Sequence, residues 1–333
     1  MHVTWWALGF VALGTLANGD AIRLPAYVYT ATARFEPEAW SCGQERFPQG
    51  AAIRLVSVEG AHDLAPDFFA SADPEVSFDG QRVLFAGKPR REDPWQIWES
   101  SVRVPGQRHR IAAWPEDSIR PLYLPDGKIV YARKTAVGYQ LEVLALAGGQ
   151  PLRITYAPGN YLTCDVLHDG RVLYEADNDL YTVYPDGSGV EAYRCDHGTA
   201  RSAARQVASR DIVFTTSQGL AHFTSALARQ VDIVPSLGGE FAGPVAEITP
   251  DEWLVSFRLN AGSPYAVYSL SGAGRLKAIV GQALGLRGSP GPAFVRKIEP
   301  LQSEEGGLRG RRRLGACPTI YGRKSVWLWR LWC

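Results

Sequence analysis

Short apolar stretches recur through the middle of the chain, and each one follows a tight polar turn. They carry apolar residues at adjacent positions rather than at alternating ones, which is typical of strands buried on both faces. A further strand-like stretch follows most of them, at 95–98, 141–144, 180–183 and 265–270. The apolar stretches that follow the turns are 83–85, 129–131, 172–174, 212–214 and 254–257.

The turns before these stretches share one sequence pattern. Asp-Gly pairs occur at Asp79-Gly80, Asp126-Gly127 and Asp169-Gly170, while Asp251 is followed by glutamate and Ser209-Arg210-Asp211 is a degraded copy. Glycine accepts the positive φ of a tight hairpin, and the aspartate side chain caps the turn. From residue 79 to residue 251, successive aspartates are 47, 43, 42 and 40 residues apart. These positions are interpreted as structural repeat turns.

This period predicts an all-β fold, a β-propeller of about six four-stranded blades, because one blade takes roughly 40–45 residues. The alternative is an ordinary β-sandwich, whose strands would alternate between polar and apolar residues. Two strand-like pieces at 26–33 and 51–58 are either another blade or the strand that closes the ring. The segments 67–71 and 199–206 are candidates for single helical turns.

The two ends of the chain differ in composition from the repeats. Residues 5–17 are apolar and too short to span a bilayer, so residues 1–21 are interpreted as a signal peptide; a buried first strand is the alternative. The propeller is assigned to 22–285 and an irregular tail to 286–333. Residues 309–333 hold seven Arg or Lys and no acid. They are either a basic segment for nucleic acid or membrane, or a stretch that did not evolve as a folded segment.

The composition limits the partners and the cofactors. A net charge of +1 gives no electrostatic reason to expect nucleic acid, and no membrane-spanning segment is expected after signal cleavage. The five cysteines, at 42, 164, 195, 317 and 333, leave at least one thiol unpaired. Their spacing allows a bridge between Cys164 and Cys195 or two separate thiols.

Few residues suggest chemistry. Cys195 and His197 form a weak candidate half-site for a soft metal, and a loop histidine beside a structural thiol is the simpler alternative. The acidic segment 177–179 offers oxygen ligands for calcium, but it is more simply a polar hairpin. The string around Ser289 lacks the glycine of a nucleophile elbow, so a serine peptidase is excluded. No catalytic residue and no cofactor site is assigned.

The repeat resembles that of the TolB-like propellers, which carry a Pro-Asp-Gly type of turn between the first two strands of each blade. The resemblance covers roughly residues 67–270. The stretches 73–88, 93–99 and 121–130 are also similar to the propeller region of hydrazine synthase alpha subunit-like proteins, which are exported and often carry c-type haem. This chain has no Cys-x-x-Cys-His sequence, so haem attachment does not carry over.

Two hypotheses of function follow. The first is a non-catalytic, periplasmic or extracellular scaffold that binds a protein or a ligand, since propellers present loops at the ends of a channel. The second is the propeller part of a multihaem redox enzyme, whose haem region lies outside this sequence. The expected partner is another protein or a missing C-terminal region. A hydrolase with a site at the channel mouth is a third, weaker hypothesis.

Overall fold

The computed structural model describes residues 26–33, 45–104, 106–194, 200–224, 230–235, 239–260, 263–272, 274–279 and 296–297. In these ranges the protein is all-β and forms six four-stranded antiparallel sheets. The first three blades contain β1 (Tyr27–Ala31), β2 (Ala52–Ser57) and β3 (Gly60–Asp63); β4 (Ala70–Val76), β5 (Arg82–Lys88), β6 (Gln96–Ser101) and β7 (Arg108–Arg110); and β8 (Ser118–Leu124), β9 (Lys128–Thr135), β10 (Gly138–Ala145) and β11 (Leu152–Arg153).

The remaining blades repeat this arrangement, and the last described strand completes the first blade. They contain β12 (Leu162–Val166), β13 (Val172–Ala176), β14 (Asp179–Val183) and β15 (Glu191–Ala192); β16 (Ser202–Gln206), β17 (Ile212–Thr216), β18 (Gly219–Phe223) and β19 (Gln230–Pro235); β20 (Glu240–Thr249), β21 (Glu252–Arg258), β22 (Ala266–Ser271) and β23 (Leu276–Ala278); and, in the first blade, β24 (Arg296–Lys297).

The sheets are arranged as a closed ring. The innermost strand of each blade contacts the innermost strands of its two neighbours, in the order β4, β8, β12, β16, β20, β24 and back to β4. The expectation of a β-propeller with about six four-stranded blades is therefore confirmed, and the sandwich alternative is wrong. The six innermost strands surround a central channel.

The ring closes through pairing between the two ends of the described chain. The strand β24 pairs with β1, with Lys297 opposite Tyr27 and Arg296 opposite Val28. The pieces at 26–33 and 51–58 thus belong to the first blade, whose innermost strand comes from the C-terminal part of the described chain. This strand lies inside the segment 286–333, which the sequence analysis assigns to an irregular tail.

The core consists of layers between the blades. One aromatic side chain from the second strand of each of five blades is almost fully buried, with 0–1% of its surface exposed. Burial of such a side chain stabilises the fold by about 1.5–3 kcal/mol. The apolar runs therefore pack against the blades on both sides, as their sequence pattern predicts. The five aromatic residues are Phe85, Tyr131, Tyr174, Phe214 and Phe257.

Two local expectations are corrected. The segments 67–71 and 199–206 contain no helical turn in their described residues. Their C-terminal parts instead begin the innermost strands β4 and β16. In 67–71 the two phenylalanines pack against core clusters, and in 199–206 the small and polar residues lead into an innermost strand.

Candidate functional site

The innermost strands carry a β-bulge at equivalent positions. The strand register shifts between Ala72 and Glu75 in β4, and similar shifts occur in β8, β12, β16 and β20. Inside these shifts lie residues with positive φ: Asp73 (55°), Arg120 (50°), Ala203 (52°) and Gly243 (72°). A bulge bends its strand and redirects a side chain, and bulges are frequent next to functional sites. The non-glycine residues held there carry backbone strain.

Two of these bulge residues belong to a buried ion network. Arg46, from the loop between β1 and β2, pairs with Asp73 through Nη1–Oδ1 and Nη2–Oδ2 distances of 3.1 and 2.5 Å. Both side chains are only 5% exposed. The backbone N–H of Arg120, in the next blade, donates to Oδ2 of Asp73 at 3.2 Å. One carboxylate therefore fixes a loop and an adjacent blade at the channel mouth.

Glu175, at the end of β13, continues the network into the following blades. Its Oε1 lies 2.5 Å from Nη1 of Arg120, and its Oε2 accepts the backbone N–H of Ala203 at 3.3 Å. The thiol of Cys164 lies 3.9 Å from Oε2. Burial, with the Glu175 charge adding to it, raises the pKa of this thiol well above its usual value, so Cys164 stays neutral. Glu175 thus connects three consecutive blades.

A cavity of about 890 Å³ opens at the ends of the innermost strands where these bulges lie. This volume lies in the range of small-molecule sites, roughly 300–1,000 Å³. Its wall comes from the third to the sixth blade and mixes charged groups, amides and hydroxyls with a few apolar side chains. The polar side chains of this wall include Arg120, Glu175, Arg201, Ser217, Glu240, Arg258 and Tyr265.

The loop before β2 explains why the cavity lies to one side of the channel. Phe47 is fully buried and packs edge-on against Trp95, with ring centroids 6.2 Å apart. Glu45 accepts hydrogen bonds from Nζ of Lys88 and from Nε1 of Trp95. Together with the Arg46–Asp73 pair, these contacts hold residues 45–47 against the second blade. The open space therefore remains beside the third to sixth blades.

The charges in the cavity wall are largely balanced by pairing. Arg258 pairs with Glu240 through an Nε–Oε2 distance of 3.0 Å and lies over the ring of Tyr265, 4.6 Å from its centroid. Arg201 pairs with Asp179 at 3.0 Å and is 2% exposed. Each lining arginine therefore has a carboxylate partner. Such a wall favours ligands that form many hydrogen bonds over simple ions.

The repeat turns lie at the opposite end of the channel. They join each innermost strand to the second strand, whereas the cavity lies where the innermost strands begin. Gly80, Gly127 and Gly170 have φ values of 68°, 74° and 84°. Asp79 accepts the Gln81 N–H at 3.0 Å and also a hydrogen bond from the Ser77 hydroxyl, which lowers its pKa. These residues support the fold and do not line the cavity.

The turn residues Asp126, Asp169 and Asp251 occupy equivalent places. Oδ1 of Asp169 accepts the N–H of Arg171 at 3.1 Å. The carbonyl oxygen of Asp251 accepts the N–H of Gly272 at 2.7 Å. In the degraded copy, Arg210 adopts the glycine conformation with a φ of 69°. The turn at Arg210 therefore keeps the backbone geometry of the glycine turns although its sequence has diverged.

The structure describes only some of the residues that the sequence offers as metal ligands. Cys195 and His197 lie outside the described residues. Over the described ranges, no group of three His, Cys, Asp or Glu side chains is arranged to hold a metal ion. Cys164 is a free, buried thiol, so it has no bridge to Cys195. The segment 177–179 forms the hairpin between β13 and β14, and Asp179 faces Arg201.

Sequence reasoning missed the residues that build the cavity. Arg46, Asp73, Arg120 and Glu175 come from four different elements; Asp73 and Arg120 follow the repeat, 47 residues apart, but Arg46 and Glu175 do not. The positions equivalent to Asp73 and Arg120 in later blades hold Cys164, Ala203 and Gly243, so the charge does not recur in the repeat and gives no signal in the sequence. In the described part of the chain, no helix is long and apolar enough to cross a membrane.

Comparison with known proteins identifies the fold. No family model matches the chain, and no curated protein matches it. Among solved structures it is similar to hydrazine synthase of Kuenenia stuttgartiensis, with a TM-score of 0.70 and 15% identity over 83% of this chain and 46% of that chain. It is also similar to TolB of Acinetobacter baumannii, with a TM-score of 0.60 and 11% identity over 82% of this chain and 66% of that one.

A third similar structure is a putative TolB of Agrobacterium tumefaciens, with a TM-score of 0.55 and 13% identity over 83% of this chain and 99% of that one. The chain thus spans less than two thirds of the hydrazine synthase and Acinetobacter TolB chains that it matches. It has the β-propeller fold found in TolB and in hydrazine synthase.

Proposed function

We propose that this protein is a non-catalytic binding scaffold whose ligand occupies the cavity at the channel mouth. The observation that carries the proposal is the 890 Å³ cavity on one side of the channel, held open by buried ion pairs between blades. Loops and hairpins of four blades converge there, and a rigid ring positions them. Binding residues in proteins are commonly placed in this way.

The chemistry of the wall favours binding over catalysis. Arg120 and Arg258 are engaged with their carboxylate partners Glu175 and Glu240, so these four groups are not available as free acids or bases. General acid–base catalysis needs a group with a free proton site within hydrogen-bond distance of the reacting atom. Among the described residues that line the cavity there is no histidine and no cysteine.

A matched pair of variants tests this proposal. Ser217→Trp places a large side chain at the cavity, while Ser209→Trp changes an exposed serine at the other end of the same blade. The wild type and both variants are screened by thermal shift against a defined panel of amino acids, dipeptides, sugars and nucleotides. A compound at 100 times its Kd stabilises by about 2.7 kcal/mol. For a domain of 150–250 residues this raises Tm by about 5–11 °C.

The expected result is a saturable rise of Tm in the wild type and in Ser209→Trp, and its loss in Ser217→Trp. A compound that stabilises both tryptophan variants equally would place its binding elsewhere. If no compound in the panel changes Tm, the proposal of a small-ligand site is rejected.

Export belongs to the same proposal. It is supported by the apolar stretch at 5–17, which lies outside the described residues. Expression of the whole chain in a bacterium, followed by N-terminal sequencing of the periplasmic fraction, tests it. Cleavage after a small residue between 17 and 21 is expected, and an uncleaved cytoplasmic product contradicts it.

A second candidate is the propeller part of a redox enzyme. It is supported by the similarity to hydrazine synthase, of which this chain matches 46%. This sequence itself has no haem-attachment motif, so any haem would be bound by another region or subunit. The genomic DNA downstream of the coding sequence provides the test. Codons for Cys-x-x-Cys-His in another reading frame support this candidate, and their absence weighs against it.

A further inference from the structure

The charges of the cavity wall do not cancel completely, because one carboxylate is left over. Among the described residues, three arginines line the cavity, and each forms an ion pair with one carboxylate. The carboxylate of Asp177 also lines the cavity, but it forms no ion pair and accepts no hydrogen bond in the part of the chain that the structure describes. The wall therefore carries one surplus negative charge. The three pairs are Arg120–Glu175, Arg201–Asp179 and Arg258–Glu240.

A tight hairpin fixes the place of this carboxylate. Only Asp177 and Asn178 connect β13 to β14, because Ala176 pairs directly with Asp179. Both connecting residues have positive φ, 50° and 63°, as a type I′ turn requires. This turn type matches the twist of the two strands that it joins. The surplus charge is therefore carried by a short, regular turn whose position at the cavity is set by the sheet.

Hydroxyl groups of the fifth blade lie beside this hairpin. The strand β16 packs against β13 and β14, and the backbone N–H of Arg201 donates to the carbonyl oxygen of Asn178 at 2.9 Å. Ser202, the next residue, and Ser217, in the hairpin between β17 and β18, line the same cavity. Among the described residues, the buried hydroxyl of Thr215 in this wall has no hydrogen-bond partner. The fifth blade therefore offers hydroxyl oxygens as acceptors beside the hairpin that carries the surplus charge.

This wall suits an organic cation better than a metal ion or an anion. Over the described ranges, no group of three His, Cys, Asp or Glu side chains is arranged to hold a metal ion. Leu162, Ala176 and Phe241 line the cavity as well, and they give contact surface to a carbon chain. A protonated amine has three N–H donors and no acceptor, so it complements a carboxylate and hydroxyl oxygens. An anion would meet arginines that are already paired and a carboxylate that repels it.

We propose that the cavity binds a small organic cation whose protonated amine pairs with the carboxylate of Asp177. The amine also donates to the hydroxyl groups of the fifth blade, and the carbon chain of the ligand packs against Leu162 and Phe241. This inference rests on the proposed function, because it assigns a chemical class of ligand to the same cavity. Asp177 is then the residue that sets the preference for positive charge, while the paired arginines keep the rest of the wall neutral.

Isothermal titration calorimetry with three probes of equal chain length tests the charge preference. The probes are 1,5-diaminopentane, 1,5-pentanediol and pentanedioate, and the diamine is expected to bind the wild type most tightly. Asp177→Asn keeps the size of the side chain and tolerates the positive φ. It is expected to weaken diamine binding roughly 10- to 100-fold, because one charge-assisted hydrogen bond is lost. Asp126→Asn removes the same charge from a repeat turn at the opposite end of the channel, and it is expected to leave the Kd unchanged.

The inference is overturned if the diamine does not bind, if the diol or the diacid binds as tightly as the diamine, or if Asp177→Asn leaves the Kd of the diamine unchanged. Ser217→Trp separates these results from the proposed function. If the diol or the diacid binds the wild type and not Ser217→Trp, the cavity remains a ligand site and only the preference for a cation is wrong. If the diamine binds Ser217→Trp as tightly as the wild type, its site lies outside the cavity, which contradicts the inference.

Discussion

Single residues at positive φ set the local geometry at both ends of the channel. At the repeat turns glycine occupies these positions, whereas at the bulges Asp73 and Arg120 are held there by ion pairs. An L-amino acid held in the left-handed region lowers the stability of the fold by about 1–2 kcal/mol. The repeat turns thus avoid this cost, except at Arg210, whereas the bulges at Asp73 and Arg120 carry it.

The turns give a prediction with a matched counterpart. A Cβ added at Gly127 or Gly170 meets no atom within 4 Å, so the effect of alanine there is conformational alone. Gly170→Ala is expected to lower the free energy of unfolding by about 1 kcal/mol. Arg210→Gly, at the equivalent turn, relieves strain and is expected to change it by less than that. Urea unfolding of both variants measures the difference, and an equal loss in the two would contradict the repeat assignment.

The Asp73 carboxylate gives a second prediction. Asp73→Ala leaves Arg46 buried without its partner and is expected to cost about 3–5 kcal/mol. Asp73→Asn keeps an acceptor for the Arg120 N–H and tolerates the positive φ, so its cost is smaller. Denaturant unfolding checks the order of the two variants. Equal losses would mean that the charge of Asp73 alone, and not its acceptor oxygen for the Arg120 N–H, holds this network.

The buried Glu75 makes stability depend on pH. Its pKa rises from 4.5 in the unfolded chain to about 8 in the fold, so the folded state binds the proton more tightly. The stability from this group is fully present below pH 4.5 and is lost as pH rises through about 8. Glu75→Gln is expected to flatten the decline of Tm between pH 6 and pH 9. A decline as steep as in the wild type would contradict the raised pKa.

Among the elements, the loop before β2 has the clearest effect on the site, because it fills the channel mouth beside the second blade. Phe47→Ala removes a fully buried ring and is expected to cost about 3–5 kcal/mol. Val58→Ala, at an 89% exposed position in the turn between β2 and β3, serves as the control and is expected to change stability by less than about 0.5 kcal/mol. Thermal unfolding of both variants measures this contrast. Equal effects would show that the loop is not anchored by Phe47.

The elements also show what the sequence could predict. The strands that follow the turns at Asp79, Asp126 and Asp169 were predictable because turn chemistry and apolar runs are local in sequence. The start of β16 was misassigned because Ala203 and its neighbours face a channel that the sequence does not reveal. The cavity residues Arg120 and Glu175 were not predictable, since their pairing depends on the closure of the ring.

At the scale of the whole molecule, two truncations separate closure from the basic tail. A chain ending at residue 308 lacks 309–333, keeps β24 and is expected to retain the wild-type Tm. A chain ending at residue 290 loses β24 and with it the pairing to Tyr27 and Val28. Its Tm is expected to fall by about 2–4 °C for each kcal/mol lost. A large fall of Tm in the chain ending at residue 308 would show that the basic tail contributes to the stability of the ring.

The pairing of β24 with β1 has a consequence for synthesis on the ribosome. The first blade lacks its innermost strand until residue 297 has been translated, so the other five blades stack before the circle is complete. Throughout that interval, β1 offers an unpaired edge to any other extended chain nearby. Until residue 297 is available, this edge can therefore be taken by a strand of another chain instead of by β24.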